Sequence, residues 1–306
     1  MNLRVLWWRR QHGFQLPYRH LVKMLKLIRS AKQLAQQTQR LKKRGLTIGF
    51  VPTMGYLHEG HLSLMRIARQ KTDILVVSIF VNPSQFAPHE DLDTYPRALD
   101  QDIELLESVE CDVLFLPTTE MMYPSGYKTW IVMDEIMEKL CGKSRSAFFR
   151  GVATVVTKLF NSINPHVAVF GQKDAQQALI IKRLVADLNM NIEIVIGPLI
   201  READGLAMSS RNAYLSSTER NDALILNQAL RLGKKLIQEG ILSRIEIIRQ
   251  LESMIESKPS ARLDYIEIVH GETLEEVSGF SGLILLALAV SIGKTRLIDN
   301  ILITCP

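Results

Sequence analysis

Apolar positions along the chain follow two alternating rhythms. Over residues 25–44, Leu27, Ile28, Ala31, Leu34, Ala35 and Leu41 gather on one side of a helical projection, and Gly45 closes the pattern. Residues 46–53 (LTIGFVPT) read as a buried strand, and a Gly/His loop leads from it into a helix over about 61–71. The rhythm repeats, predicting strands at 73–83, 112–117, 167–171 and 192–197 and helices at 98–109, 151–163 and 175–188. Val- and Ile-rich strands alternating with helices indicate an α/β class with a parallel, doubly wound sheet. Gly197-Pro198 followed by READG breaks the alternation and predicts a boundary near residue 199. Helices at 216–239 and 243–257 and strands at 264–270, 283–292 and 295–303 then predict a small α+β second domain. No internal repeat or low-complexity tract is present.

Composition narrows the class. The 306 residues, 47% hydrophobic and 23% charged, suit one large globular domain or two modest ones. The longest apolar run, residues 283–292, is too short to span a bilayer, so no membrane partner is expected. Cys111, Cys141 and Cys305 have neither metal-ligand nor redox spacing, which predicts a reduced, cytoplasmic protein.

The net charge of +5 is unevenly distributed. Twelve of the 37 Lys/Arg precede the first acid, Glu59, leaving 25 basic against all 32 acidic residues in the remainder. The main body is thus acidic, and a nucleic-acid partner is not expected. Residues 1–23 hold five Lys/Arg, no acid and the Trp7-Trp8 pair. They read as a disordered extension, or as a start assigned too early with Met24 as the true beginning. An RNA-binding or membrane-surface tail is the alternative.

Four segments carry chemistry. In residues 51–64 (VPTMGYLHEGHLSL), a buried strand feeds a helix at the position where open α/β sheets bind nucleotides. Gly55 and Gly60 permit close backbone approach, and the helix start offers N–H groups to phosphate. His58 and His61, three apart, could face one phosphate together; capping histidines or half a metal site are the competing readings. Residues 170–177 (FGQKDAQQ) follow another strand. There Lys173 would neutralise triphosphate charge, Asp174 would cap the next helix, hold a ribose hydroxyl or orient Lys173, and Gln177 would bind a neutral polar group. Residues 207–212 (AMSSRN) form either a mobile phosphate clamp of Ser209, Ser210 and Arg211 or a polar loop with a serine cap. Residues 78–97 supply Asn82 and Gln85 as amides for a hydroxy acid, while Glu90, Asp91 and Asp93 read as loop-solvating acids.

Together, in this order, PTMGYLHEGH, FVNPSQF, DLDTYPR, FFRGVATVVTKLFN, FGQKD, READGLAMSSRN and TRLIDN resemble the pantothenate synthetase (pantoate–β-alanine ligase) family, over about residues 24–303. The resemblance implies a Rossmann-like domain over 24–199, a smaller C-terminal lid domain over 200–306, and a homodimer. It implies ATP-dependent ligation of pantoate to β-alanine through pantoyl-adenylate, with AMP and pyrophosphate released. By this likeness ATP is bound by Met54, Gly55, Tyr56, Leu57, His58, Glu59, Gly60 and His61, by Gly171, Gln172, Lys173 and Asp174, by the backbone of Ile200, and by Met208, Ser209, Ser210 and Arg211. His61, His58, Lys173, Ser209, Ser210 and Arg211 are the expected catalytic set, with His61 as proton donor. Gln85 and Gln177 are expected to bind pantoate, with Gln85 also on the β-alanine side. Mg²⁺ is expected on the β- and γ-phosphates, held chiefly by ATP and water.

Departures from the family pattern are Phe148 where many members have His, Gln172 where Glu is frequent, Ile200 for Val, and Gln101 at a position sometimes acidic beside Asp102. Two other classes compete: a nucleotidyltransferase acting on a mononucleotide or phosphorylated carrier, and an RNA-associated binding protein using the basic N-terminus.

Overall fold

The computed structural model describes residues 25–306 except His89, Ser146 and Leu242; the extension expected over residues 1–23 lies outside the described residues. A six-stranded sheet is built from β1 (Lys26–Ile28), β2 (Ile48–Thr53), β3 (Ile74–Ile79), β4 (Val113–Phe115), β5 (Val167–Gly171) and β6 (Glu193–Gly197). Its order is β1-β4-β3-β2-β5-β6, and every pairing is parallel. The longer intervening helices are α1 (Ala31–Lys43), α2 (Glu59–Lys71), α3 (Leu99–Ser108), α4 (Phe148–Ile163) and α5 (Ala175–Asp187). The doubly wound sheet expected from the alternation is therefore present, and it is Rossmann-like, as the resemblance implies.

The strands bury both faces because their side chains alternate between two cores. Ile48, Phe50, Ile74 and Val76 join one core with Phe160 of α4 and Ile180 of α5. Val51, Leu75 and Val77 join the other with Met65 of α2 and Leu106 of α3. Consecutive strands run outward from β2 to β4, and the chain then returns to place β5 on the other side of β2. The carboxyl ends of β2 and β5 thus flank the switch point, where such sheets form a ligand crevice.

One expectation fails at the start. Residues 26–28 form an edge strand paired with β4, not the first turn of a helix. Lys26 and Leu27 are exposed and only Ile28 is buried, a pattern too short to separate a strand from one turn of an amphipathic helix. The helix begins only after Ser30, whose hydroxyl accepts from the Gln33 N–H. The strand expected over 73–83 also ends early, at Ile79, and Pro83–Gln85 forms a 3-10 turn capped by Asn82.

Beyond β6 the chain forms α6 (Ser217–Ala223), α7 (Ile225–Glu239) and α8 (Arg244–Glu256). It then forms the antiparallel sheet β7 (Ala261–His270), β8 (Gly282–Ile292) and β9 (Thr295–Cys305). The single helix expected over 216–239 breaks at Leu224 into α6 and α7. Reciprocal Ser–Glu capping starts α6 (Ser216, Glu219) and α8 (Ser243, Glu246). Leu226, Leu230 and Ile247 pack on Leu286, Leu288 and Val290 to give this smaller α+β unit its own core. No helix among the described residues is long and apolar enough to cross a membrane.

Helix α4 bears directly on the crevice. A Cβ at Gly151 would stand 2.3 Å from the Ser84 carbonyl oxygen, so the turn carrying Gln85 rests on glycine backbone. Gly151→Ala should lower stability by about 1–3 kcal/mol through overpacking, read as a reduced urea midpoint.

Candidate functional site

The segment leaving β2 turns sharply through two successive left-handed residues, Gly55 (φ 86°) and Tyr56 (φ 50°). Asp102 of α3, 2% exposed, holds the turn by accepting from the N–H groups of Tyr56 (2.9 Å) and Leu57 (2.7 Å). Burial raises the Asp102 pKa, and these two bonds oppose the rise.

His58 then caps α2. Its Nδ1 accepts from the Gly60 N–H at 3.2 Å, while His61 Nδ1 accepts from the His58 N–H at 3.3 Å. With both Nδ1 atoms accepting, the proton of each neutral ring is assigned to Nε2, leaving two N–H donors for a ligand. The capping reading and the phosphate reading are thus compatible, because they use different nitrogens. The ring centroids lie 4.1 Å apart. Burial and then Lys173 lower the His58 pKa to about 4. Burial, His58 and Lys173 push His61 well below its ordinary range. At neutral pH both imidazoles are therefore uncharged donors beside a cation.

Lys173 follows β5 in the turn Gln172–Asp174. Asp174 does not cap α5 with its side chain, so the expected capping role is not realised. In the segment after β6, Ser209 Oγ accepts from the Arg211 N–H at 3.3 Å, the serine cap that sequence allowed. Ser210 Oγ donates to the Tyr56 carbonyl at 3.3 Å. Arg211 forks onto Asp91 at 2.9 and 2.8 Å. The Ile200 carbonyl accepts from the Met208 N–H at 3.0 Å.

These segments converge. Met54, His58, Gly60, His61, Gln85, Gly171, Lys173, Asp174, Gln177, Ile200, Met208, Ser209, Ser210 and Arg211 line one continuous cavity between the two sheets. Six expected site residues stand outside its lining. Gly55, Tyr56 and Leu57 shape the turn behind it, and Glu59 is exposed and pairs with Arg66. The Gln172 amide is taken by Asn300. Asn82, 1% exposed, donates to Gln85 Oε1 at 2.8 Å and to the Gly151 carbonyl at 3.3 Å, so it holds Gln85 rather than facing the cavity.

Residues 26–302 match the family model described as Pantoate-beta-alanine ligase. The chain belongs to this family. It is 51% identical over 279 residues to the pantothenate synthetase of Acetivibrio thermocellus, covering 91% of this chain and 99% of that one. It is likewise 51% identical over 277 residues to the pantothenate synthetase of Caldicellulosiruptor bescii, with 90% and 98% covered. The crystal structure of the Thermus thermophilus pantothenate synthetase superposes with a TM-score of 0.85 at 41% identity, covering 90% of this chain and 98% of that one. The Francisella tularensis pantoate–β-alanine ligase, complexed with β,γ-ATP and β-alanine, gives 0.76 at 38%, with 91% and 97% covered. This pantoate–β-alanine ligase family member is accordingly an ATP-dependent carbon–nitrogen ligase.

Sequence reading missed several residues that shape the ligase cavity. Glu90 and Asp91 do not simply solvate their loop: Glu90 accepts from Arg145 Nε at 2.6 Å, and Asp91 holds Arg211. Arg145 also donates to the Gln85 carbonyl at 3.1 Å and lies 4.0 Å over the Phe148 ring. Tyr95, 6% exposed, lines the cavity beside Arg211. The DLDTYPR and TRLIDN segments are visible signals, but no local spacing pairs residue 91 with 211 or 172 with 300.

Two outcomes follow from this geometry. Asp102→Ala leaves two peptide N–H groups without their acceptor and should cost about 2–5 kcal/mol, measured by urea unfolding. The depressed histidines make the unfolded chain bind protons that the fold refuses. Their stabilisation is therefore present above pH 6.5 and is lost as pH falls, for His58 toward about 4. His58 alone should account for up to about 3 kcal/mol of that loss, and His58→Gln should flatten the stability profile across this window.

Proposed function

We propose that the cavity first transfers AMP from ATP to the carboxylate of pantoate and then passes the acyl group to β-alanine. Family membership supplies the overall reaction, the ATP-dependent condensation of pantoate with β-alanine. The observation that carries the site reading is the convergence of His58, His61, Lys173 and Arg211, from three separate segments, on one cavity at the switch point.

In the first step a carboxylate oxygen of pantoate bonds to the α-phosphorus while the bond to the bridging oxygen breaks and pyrophosphate departs. The carboxylate is already ionised, so the protein's task is to position two anions and stabilise charge on the phosphoryl group. The Nε2–H groups of His58 and His61 suit the non-bridging oxygens, donating from neutral rings as charge builds up on the phosphoryl group. Lys173 offsets the polyphosphate charge, and Met54, Gly60, the Ile200 backbone and Met208 border the nucleotide. Ser209, Ser210 and Arg211 close on the phosphates after Arg211 exchanges Asp91 for a phosphate oxygen. Gln85, held by Asn82, and Gln177 receive pantoate through neutral amides. In the second step the β-alanine amine attacks the acyl carbon on the Gln85 side, and the bond to AMP breaks.

Mg²⁺ would be held chiefly by ATP and water. Among the described residues no group of three or more His, Cys, Asp or Glu is placed to hold a metal, and both Asp102 oxygens already accept peptide N–H groups. Bound in this way, the ion would neutralise charge on the departing pyrophosphate.

We assign residues 24–199 to the binding domain and 200–306 to a lid, which places the Ser209–Arg211 segment on the part that closes. A homodimer is proposed from the family likeness alone. A cytoplasmic location is proposed from the three free, buried thiols.

Pantoate-dependent exchange of pyrophosphate into ATP, without β-alanine, tests this reading. His61→Ala and Lys173→Ala should each lower exchange about 10²–10³-fold while remaining folded, with His61→Ala also losing about 1 kcal/mol of stability with its cap. Near-normal exchange in both variants, or exchange driven by a mononucleotide in place of pantoate, would refute it.

A further inference from the structure

The TRLIDN segment has no part in the steps above. It lies in β9, where Asp299 (2% exposed) and Asn300 (5%) interrupt a strand otherwise carrying Leu297, Ile298 and Ile301. Adjacent polar side chains at this depth are unfavourable unless their hydrogen bonds are made. Each makes them with a segment that borders the cavity. Asp299 accepts both arms of the Arg201 guanidinium, at 2.7 and 3.0 Å, and the Asn300 N–H at 2.8 Å. Asn300 Nδ2 donates to the carbonyls of Gln172 (3.0 Å) and Lys173 (2.9 Å), and its Oδ1 accepts from Gln172 Nε2 at 2.9 Å. Both amide protons and the amide oxygen are therefore spent on one turn.

Between the end of β5 and the start of α5, that turn is brief. Helix α5 receives no side-chain cap from Asp174, and the turn is only three residues long. A lysine joins its backbone to its ammonium through a flexible four-carbon stem, so the place of the charge depends on where the peptide is anchored. Here the anchor comes from the opposite sheet.

We infer that Asn300 is a positioning residue for Lys173: its triple hydrogen bond from β9 to the Gln172–Lys173 turn sets where the ammonium stands relative to His58 and His61. Asp299 acts alongside it, fixing Arg201 beside Ile200. Arg201 bridges to Ala207, which leads into the Ser209–Arg211 segment. The two residues tie the lysine turn and the serine–arginine segment to a common brace. The inference rests on the assignment of Lys173 to the polyphosphate.

A double-mutant cycle separates it from a merely structural role. Asn300→Ala, Lys173→Ala and the double variant are compared by kcat/KM for pantoate-dependent ATP–pyrophosphate exchange, alongside thermal melts. Asn300→Ala alone should lose about 10–100-fold, yet no more than about 2-fold on the Lys173→Ala background. His58 provides a second readout, because Lys173 contributes to its depressed pKa. Its titration, followed by NMR, should move upward in Asn300→Ala. Asn300→Leu keeps the side-chain volume and loses all three hydrogen bonds without adding a charge, and serves if the alanine variant does not fold; it should show the same non-additivity. Equal losses on both backgrounds, or an unshifted His58 in a folded variant, would overturn the inference alone. Wild-type exchange in Lys173→Ala would overturn the role of the lysine, and the inference with it.

Discussion

Asp102 lies on α3, nearly sealed from water, with both oxygens turned to the peptide N–H groups of Tyr56 and Leu57. The backbone there enters left-handed space at a non-glycine residue, a conformation that persists only when its surroundings insist on it. The carboxylate supplies that insistence. Because the turn is fixed, α2 starts at His58, the two imidazoles cap the helix start through Nδ1, and their Nε2 edges remain available. The rest of the site depends on this corner. Ser210 reaches the same turn from the far side by bonding the Tyr56 carbonyl, so the second lobe also takes its bearing there.

Electrostatics around this corner are arranged by burial as much as by charge. Two histidines three residues apart would repel if both were protonated, and Lys173 makes protonation less favourable still. The result is one cation flanked by two neutral donors, a set suited to phosphate oxygens without the desolvation of three buried charges. The neutral amide of Gln85 is held in turn by Asn82, itself anchored to the α4 backbone at Gly151.

Much of this is legible in the chain. Strand and helix periodicity predicts the parallel sheet and the α+β unit because those elements are long and strongly patterned. The HxGH and QKD segments stand out because each follows a buried strand directly. What sequence does not show are relations across the fold. Asn82 carries the same amide as Gln85, and only its depth assigns it a supporting place. Asp91 resembles an acid of a solvated loop because its partner lies 120 residues away. Lys26–Ile28 read as helix because three residues are too few to separate two periods. Phe148 stands under the Arg145 guanidinium, where its ring stacks rather than donates.

The fork between Arg211 and Asp91 bears on which anions the crevice admits. A bare guanidinium facing the crevice would draw in any passing anion, whereas one already satisfied by a carboxylate yields only to a species with denser charge. A polyphosphate meets that condition and a simple carboxylate meets it poorly. On the proposed reading of Arg211, nucleotide entry would displace Asp91, so that filling the site and loosening the segment around it would become a single event.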